Sequence, residues 1–473
     1  MQIVTAAQPH STAFEGHLHM RYIWTIALVA AMGGLLFGYD WVVIGGAKPF
    51  YEVFFQLTSA AEVGWANSCA LIGCFIGSLP AGKLSDRVGR KTVLIFSALL
   101  FLISSVLTGW SYSFAAFITW RVLGGVAIGL ASSVSPMYIA EISPAAWRGR
   151  LVSLNQLALV VGILAAQIAN WRIAEKMPEH VSQTALLASW NVQYGWRWMF
   201  TAVAVPALIF LVTAPFIPES PRWLVARGRL EEAGRVLERI GGEAYSKHEL
   251  QAVSETLAVS TGKRDWRAFR APRIRKLVLI GITLVVLQQA SGINVLFNYA
   301  EEVYKSAGYG VNDILFNIVA TGTINLVFTI FAMLLVDRFG RRWLMILGCL
   351  GIGFSHAAVS FAYRQSLQGS WVLVLTLCAI ACYAMSLAPV TWVLITEIFP
   401  NRVRATSMSI SVAALWVASF ALTYTFPLLN RGLGTAGTFL IYASICFLGA
   451  FFVFFVVPEM RGKSLEQIED AEA

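Results

Sequence analysis

Charged side chains are the scarcest material in this chain: only 13% of its 473 residues are Asp, Glu, Lys or Arg, where a soluble domain carries about a quarter. That shortage excludes an ordinary soluble protein. Cysteine is sparse as well, and all six (Cys69, Cys74, Cys349, Cys378, Cys382, Cys446) fall inside apolar runs, which argues against a secretory disulfide framework. Cys378 and Cys382 share a helix face, but no further Cys or His completes a ligand set, so neither a metal nor a cofactor is expected. The apolar runs hold no paired carboxylates and no nucleophile beside a base, so an enzyme is not expected. His356 stands alone in its run and reads as a packed helix residue. The formal charge of +9 comes without a basic stripe on any soluble domain, which excludes a nucleic-acid partner.

Apolar residues supply what is missing: 57% are hydrophobic, 13% are aromatic, and 38 are Gly, a residue commoner in membrane helices than in soluble ones. With a mean hydropathy of +0.67, the chain reads as an all-α polytopic membrane protein. Twelve apolar runs are long enough to span, near 22–46, 60–82, 92–110, 113–136, 150–171, 197–217, 275–299, 313–336, 342–362, 371–395, 405–427 and 435–457. The first lacks a small-residue cleavage site behind it and is expected to remain as helix one. If the N-terminus is cytoplasmic, the inside segments hold 27 of the 35 Lys and Arg and the outside loops hold 7. That bias places both termini in the cytoplasm, and the location expected is the cell inner (plasma) membrane. Arg121 is left as the only basic residue well within any span.

One long polar stretch, about Glu219–Arg275, divides six spans from six and reads as short amphipathic helices expected to pack beneath both halves. The expected organisation is a cytoplasmic segment 1–21, a six-helix bundle 22–218, a cytoplasmic helical linker 219–274, a second bundle 275–457 and a cytoplasmic tail 458–473. The halves repeat each other. DRVGRK from Asp86 returns as DRFGRR from Asp337, and AEISPAAWRGR, with Glu141 and Arg148, returns as TEIFPNRVRA, with Glu397 and Arg404. PESPRWL from Pro218 is matched by PEMRGKSLEQIE from Pro458. Three paired motifs in one order imply a duplicated bundle.

Asp40 sits in the middle of the first span, in RYIWTIALVAAMGGLLFGYDWVVIGGA. A charge at that depth costs about 2.5–3.5 kcal/mol on the insertion scale, so a partner or a task is expected, and Arg121 in the fourth span is the candidate partner. The seventh span carries Gln288, Gln289 and Asn294 around Ser291-Gly292. Amides both donate and accept, as a hydroxyl-bearing ligand requires, although such groups also bond neighbouring helices. A Gly between them opens the helix locally and turns both flanks toward one cavity.

The paired motifs, together with PESPRWL and QQASGIN, resemble the sugar porter branch of the major facilitator superfamily over essentially the whole chain. The resemblance implies two six-helix bundles that alternately open a central site. It adds Gln156, Asn325 and Trp392 to the seventh-span amides, and Trp416 as a cavity-lining residue. It also implies a proton-coupling role for Asp40 with Arg121. Arg90, Glu141 and Arg148, with Arg341, Glu397 and Arg404, resemble the family's cytoplasmic charge network, which latches the halves when the cavity faces outward. Asn298 and Leu415 depart from the residues many relatives carry there, which bears on sugar selectivity. The function expected is import of a pentose or hexose with a proton, by a monomer in a lipid bilayer. The alternatives are a facilitative uniporter, in which position 40 is usually uncharged, and a non-transporting sugar sensor, which usually has a long cytoplasmic tail.

Overall fold

The structure, a computed structural model, describes residues 18–178, 183–259, 268–367, 369–400 and 403–457. The expected N-terminal segment as far as residue 17 and the tail with PEMRGKSLEQIE lie outside the described residues, as do the side chains of 335–339 and hence Asp337. Helices account for the regular structure among the described residues. The first half contains α1 (Met20–Phe54), α2 (Ala60–Val88), α3 (Arg90–Gly109), α4 (Phe114–Ile142), α5 (Arg148–Ile173) and the segmented α6 (Thr184–Phe216). Between the halves lie α7 (Pro221–Ala226) and α8 (Leu230–Val259). The second half contains α9 (Pro272–Ala290), α10 (Ile293–Asn298), α11 (Ala300–Ser306), α12 (Val311–Phe339), α13 (Arg341–Arg364), α14 (Ser370–Met385), α15 (Leu387–Ile398) and α16 (Arg404–Val456).

Eleven described helical stretches are long and apolar enough to cross a membrane. The last is α16, whose 53 residues would reach about 80 Å at about 1.5 Å per residue, more than twice a hydrocarbon core of about 30 Å. Gly434, at φ 70°, turns the chain there in a conformation that side chains other than Gly rarely adopt. The two arms make two crossings, twelve in all.

Within the first half, helices meet backbone to backbone. A side chain at Gly73 of α2 would run into the Val122 carbonyl of α4, and one at Gly125 of α4 into that of Ala70. Lipid tails are as apolar as Leu, so close van der Waals contact of this kind holds such helices together.

One expectation needs correction. α1 runs eight residues past Gly46, because Phe50, Tyr51, Val53 and Phe54 continue its apolar pattern; Tyr51 and Phe54 pack against Phe117, Trp196 and Phe200. Lys48 therefore lies inside a helix and is 1% exposed, so Arg121 is not alone among basic residues in the spans. The linker breaks at Gly241-Gly242 into two helical arms. Some of its hydrogen bonds tie it to the first half: His19 N–H to the Ile240 carbonyl, and Trp223 Nε1 and Arg227 to the Asp86 carbonyl.

Among the described residues, the hydrogen bonds between the two halves lie toward the end of the bundle opposite this linker. There Gln167 of α5 donates to Thr321 of α12 at 3.2 Å. Nearby, Asn312 exchanges two hydrogen bonds with the Met177 backbone at 3.1 and 2.9 Å. Trp65 of α2 meets Phe420 of α16 edge-on at 6.2 Å, and Gly64 packs against the Tyr424 backbone.

Candidate substrate and proton site

Asp40 and Arg121 are brought together. Arg121 Nη1 donates to both carboxylate oxygens, at 2.9 and 3.0 Å, and the two residues are 4% and 3% exposed. Gly124, one turn along α4 from Arg121, lets α4 approach: a Cβ there would lie 3.7 Å from Asp40 Oδ2. Arg121 also carries the Phe200 ring under its guanidinium at 5.3 Å.

The seventh span is interrupted between α9 and α10. Gly292 takes φ 82°, and a side chain there would meet both that strain and the Tyr442 ring. The Ser291 carbonyl released by the break accepts from His356 Nε2 at 2.9 Å. His356 thus serves as a structural partner for the opened helix. The break leaves the amides in a chain of bonds: Asn294 Nδ2 donates to Gln289 Oε1 at 2.5 Å, Gln289 Nε2 to Gln288 Oε1 at 3.4 Å, and Gln288 Nε2 to the Leu387 carbonyl at 3.0 Å.

Aromatic rings meet across the seam. Trp416 of α16 lies 5.9 Å from Phe37 and 6.2 Å from Trp41, both of α1 and both flanking Asp40 in sequence. Its indole N–H is buried without a hydrogen-bond partner among the described residues, as is Asn298 Oδ1. Leu415 is buried beside it. Gln156 and Trp392 are half-buried and Asn325 is buried; no described hydrogen bond joins these three to the amide chain. Half-exposed amides at mid-depth face a gap between helices, since lipid would leave them unpaired. The sequence reading missed Phe37 and Trp41, although their positions three before and one after Asp40 were available as a signal.

At the linker end, several charged residues pair with neighbours of the same half or of the linker. Arg90 forms a two-pronged pair with Glu141, through Nε at 2.9 Å and Nη2 at 3.0 Å, and Glu141 also accepts from Ser220. Glu219, not anticipated, accepts the N–H groups of Arg90 and Lys91. Arg148 Nε donates to the Ala140 carbonyl, Arg341 pairs with Glu397 at 3.5 Å, and Arg404 Nε donates to the Phe399 carbonyl.

Twelve crossings, halves whose described hydrogen bonds across the seam lie toward one end, and a set of buried polar and aromatic groups between them fit a secondary carrier. The family model for the sugar (and other) transporter family matches residues 26–471. The chain is 37% identical to the D-xylose-proton symporter of Escherichia coli over 95% of both chains, and 36% identical to the arabinose-proton symporter of Bacillus subtilis over 98% of both. It superimposes on a partially occluded inward open conformation of the xylose transporter XylE from E. coli with a TM-score of 0.83, at 36% identity, over 94% of this chain and 100% of that one. The chain belongs to the sugar porter family of the major facilitator superfamily: it is a multi-pass membrane transporter and not an enzyme.

Proposed function

We propose that the protein imports a monosaccharide of pentose or hexose size together with a proton, by alternating access, as a monomer in the inner membrane. Both termini and the linker then face the cytoplasm, and the closed end of the bundle faces outside. The reading rests above all on the buried Asp40–Arg121 pair, set between Phe37 and Trp41, whose rings meet Trp416 across the seam.

The chemistry follows from placement. A carboxylate held by a guanidinium keeps its charge, and one parted from it in a desolvated gap gains by taking a proton. Rocking that alters the Asp40–Arg121 separation therefore alternates proton capture and release. The amide chain of Gln288, Gln289 and Asn294 offers donors and acceptors to hydroxyls, with Gln156, Asn325 and Trp392 on neighbouring helices. The rings of Phe37, Trp41 and Trp416 supply a face for the C–H side of a pyranose. One proton moving down 100 mV contributes about 2.3 kcal/mol, enough for roughly fifty-fold accumulation.

The second reading, a facilitative uniporter in which the ion pair is a static brace, draws on the tightness of the same pair. Asp40→Asn separates the two. It cannot exchange a proton, so uncoupler-sensitive accumulation in vesicles is expected to vanish while sugar binding and counterflow persist. Accumulation by the Asn variant that still collapses with an uncoupler would sink the coupling role.

A further inference from the structure

The closed end of the seam holds a charge cluster that the sugar site does not use. Lys48, on α1 of the first half, pairs with Glu52 one turn on at 2.8 Å, and with Glu301 of α11 in the second half at 3.3 Å. It also pairs with Glu302, the next residue. Lys48 is 1% exposed and Glu301 7%, and Glu52 and Glu302 are partly buried. The other ionisable groups facing the cluster are few. Lys305 reaches Glu301 at 3.4 Å from the exposed rim. The Tyr299 ring lies 5.8 Å from Lys48 Nζ. Tyr51 carries a buried hydroxyl without a hydrogen-bond partner among the described residues, and Arg121 lies further in. Glu302 Oε2 is buried without a hydrogen-bond partner as well.

The charges do not balance. Lys48 and Lys305 supply two positive charges against three carboxylates, and an uncompensated buried anion is expensive. A single proton removes the excess. Loss of solvation, opposed in part by Lys48, pushes Glu302, which lies beyond the end of the span Pro272–Asn298, up to about 8.

We propose that Lys48, Glu52, Glu301 and Glu302 form a second proton site at the outer seam, separate from Asp40, assembled only when the halves close against the outside and holding one proton in that state. Opening toward the outside parts the cluster along the seam. Lys48 leaves with Glu52 on α1, and Glu301 and Glu302 stay with Lys305 on α11. Glu302 then meets external water, recovers ordinary carboxylate behaviour and returns its proton to the outside. The proton is taken up and given back on the same side, so this site does not drive accumulation. It makes external acidity close the outer door.

The sign follows from linkage. The closed state has the higher proton affinity, so closure gains as pH falls from about 8 toward the ordinary carboxylate range, by at most about tenfold in the closed-to-open ratio per pH unit. The proposal requires only that the halves rock and does not require Asp40 to couple.

The test uses the full chain in lipid nanodiscs, in an Asp40→Asn background that removes the other proton, with Cys378 and Cys382 changed to Ser. Spin labels at Ala188→Cys and Gly310→Cys, both at exposed outer positions, report the outer distance between pH 5 and 9. The closed population is expected to rise as pH falls below about 8. Glu302→Gln, which mimics the protonated form at similar volume, should abolish that dependence. Lys48→Met should favour the open outer state at every pH. An outer distance that ignores pH, or a Glu302→Gln variant that titrates like its parent, overturns the proposal. If this gate responds to pH while wild-type vesicles show no proton-driven accumulation, the symport reading falls and this site stands.

Discussion

At mid-depth the amide of Gln289 is committed at both ends, donating to Gln288 and accepting from Asn294, whereas the Trp416 indole donates to nothing described. On the proposed reading, a sugar would break the first arrangement and satisfy the second. Gln289→Ala or Asn294→Ala is therefore expected to weaken sugar binding by about 1–3 kcal/mol, measured by equilibrium titration of purified protein; unchanged affinity in both would remove this span from the site. Leu415→Gln sets a donor and acceptor beside Trp416 and should reorder a panel of competing pentoses and hexoses without changing expression. An identical order would place residue 415 away from the sugar. Asp40 and Arg121 were legible because ionised groups in apolar runs are rare and costly, so each announces the other. Trp41 was not, because an aromatic residue in a span is ordinary until the fold brings Trp416 to it.

Among the elements, the broken seventh span was readable from Ser291-Gly292, since only Gly accommodates the left-handed turn observed. The partner of its freed carbonyl was not: His356 lies 65 residues further on and only tertiary packing brings it there. Gly292→Ala is expected to lose stability through both strain, about 1–2 kcal/mol, and collision with the Tyr442 ring, seen as a lower melting temperature and loss of sugar-induced stabilisation. Should both persist at parental values, the break would not depend on this residue. The length of α1 escaped for a different reason. The charged residue at Lys48 and the helix breaker at Pro49 look like the end of a span, yet the aromatic contacts of Tyr51 and Phe54 carry the helix on. The outer charge cluster was hidden with it, because its members are divided between two segments about 250 residues apart in sequence.

For the molecule as a whole, the repeated motifs disclosed the duplication, but not which end of the seam is shut. Glu397 pairs with Arg341 inside the second half, while the described hydrogen bonds across the seam lie toward the other end. Neutralising it, as Glu397→Gln, is expected to favour inward-open states by removing an attachment that only the outward-facing form would use across the halves. Distance distributions between labels on the two cytoplasmic faces should broaden outward, and a distribution matching the parent would make these charges a solvated rim. The one-sided seam also has an electrical meaning. In the proposed orientation, water entering from the cytoplasm would carry the cytoplasmic potential up to Trp416, and the membrane voltage would fall across the plug beyond it. If Asp40 carries the proton as proposed, its release in this state would cross little of the field and be nearly voltage-independent. The electrical work, about 2.3 kcal/mol per charge per 100 mV, would then be done when the carrier reorients, and Lys48, buried in the plug, would stand where the field is steepest.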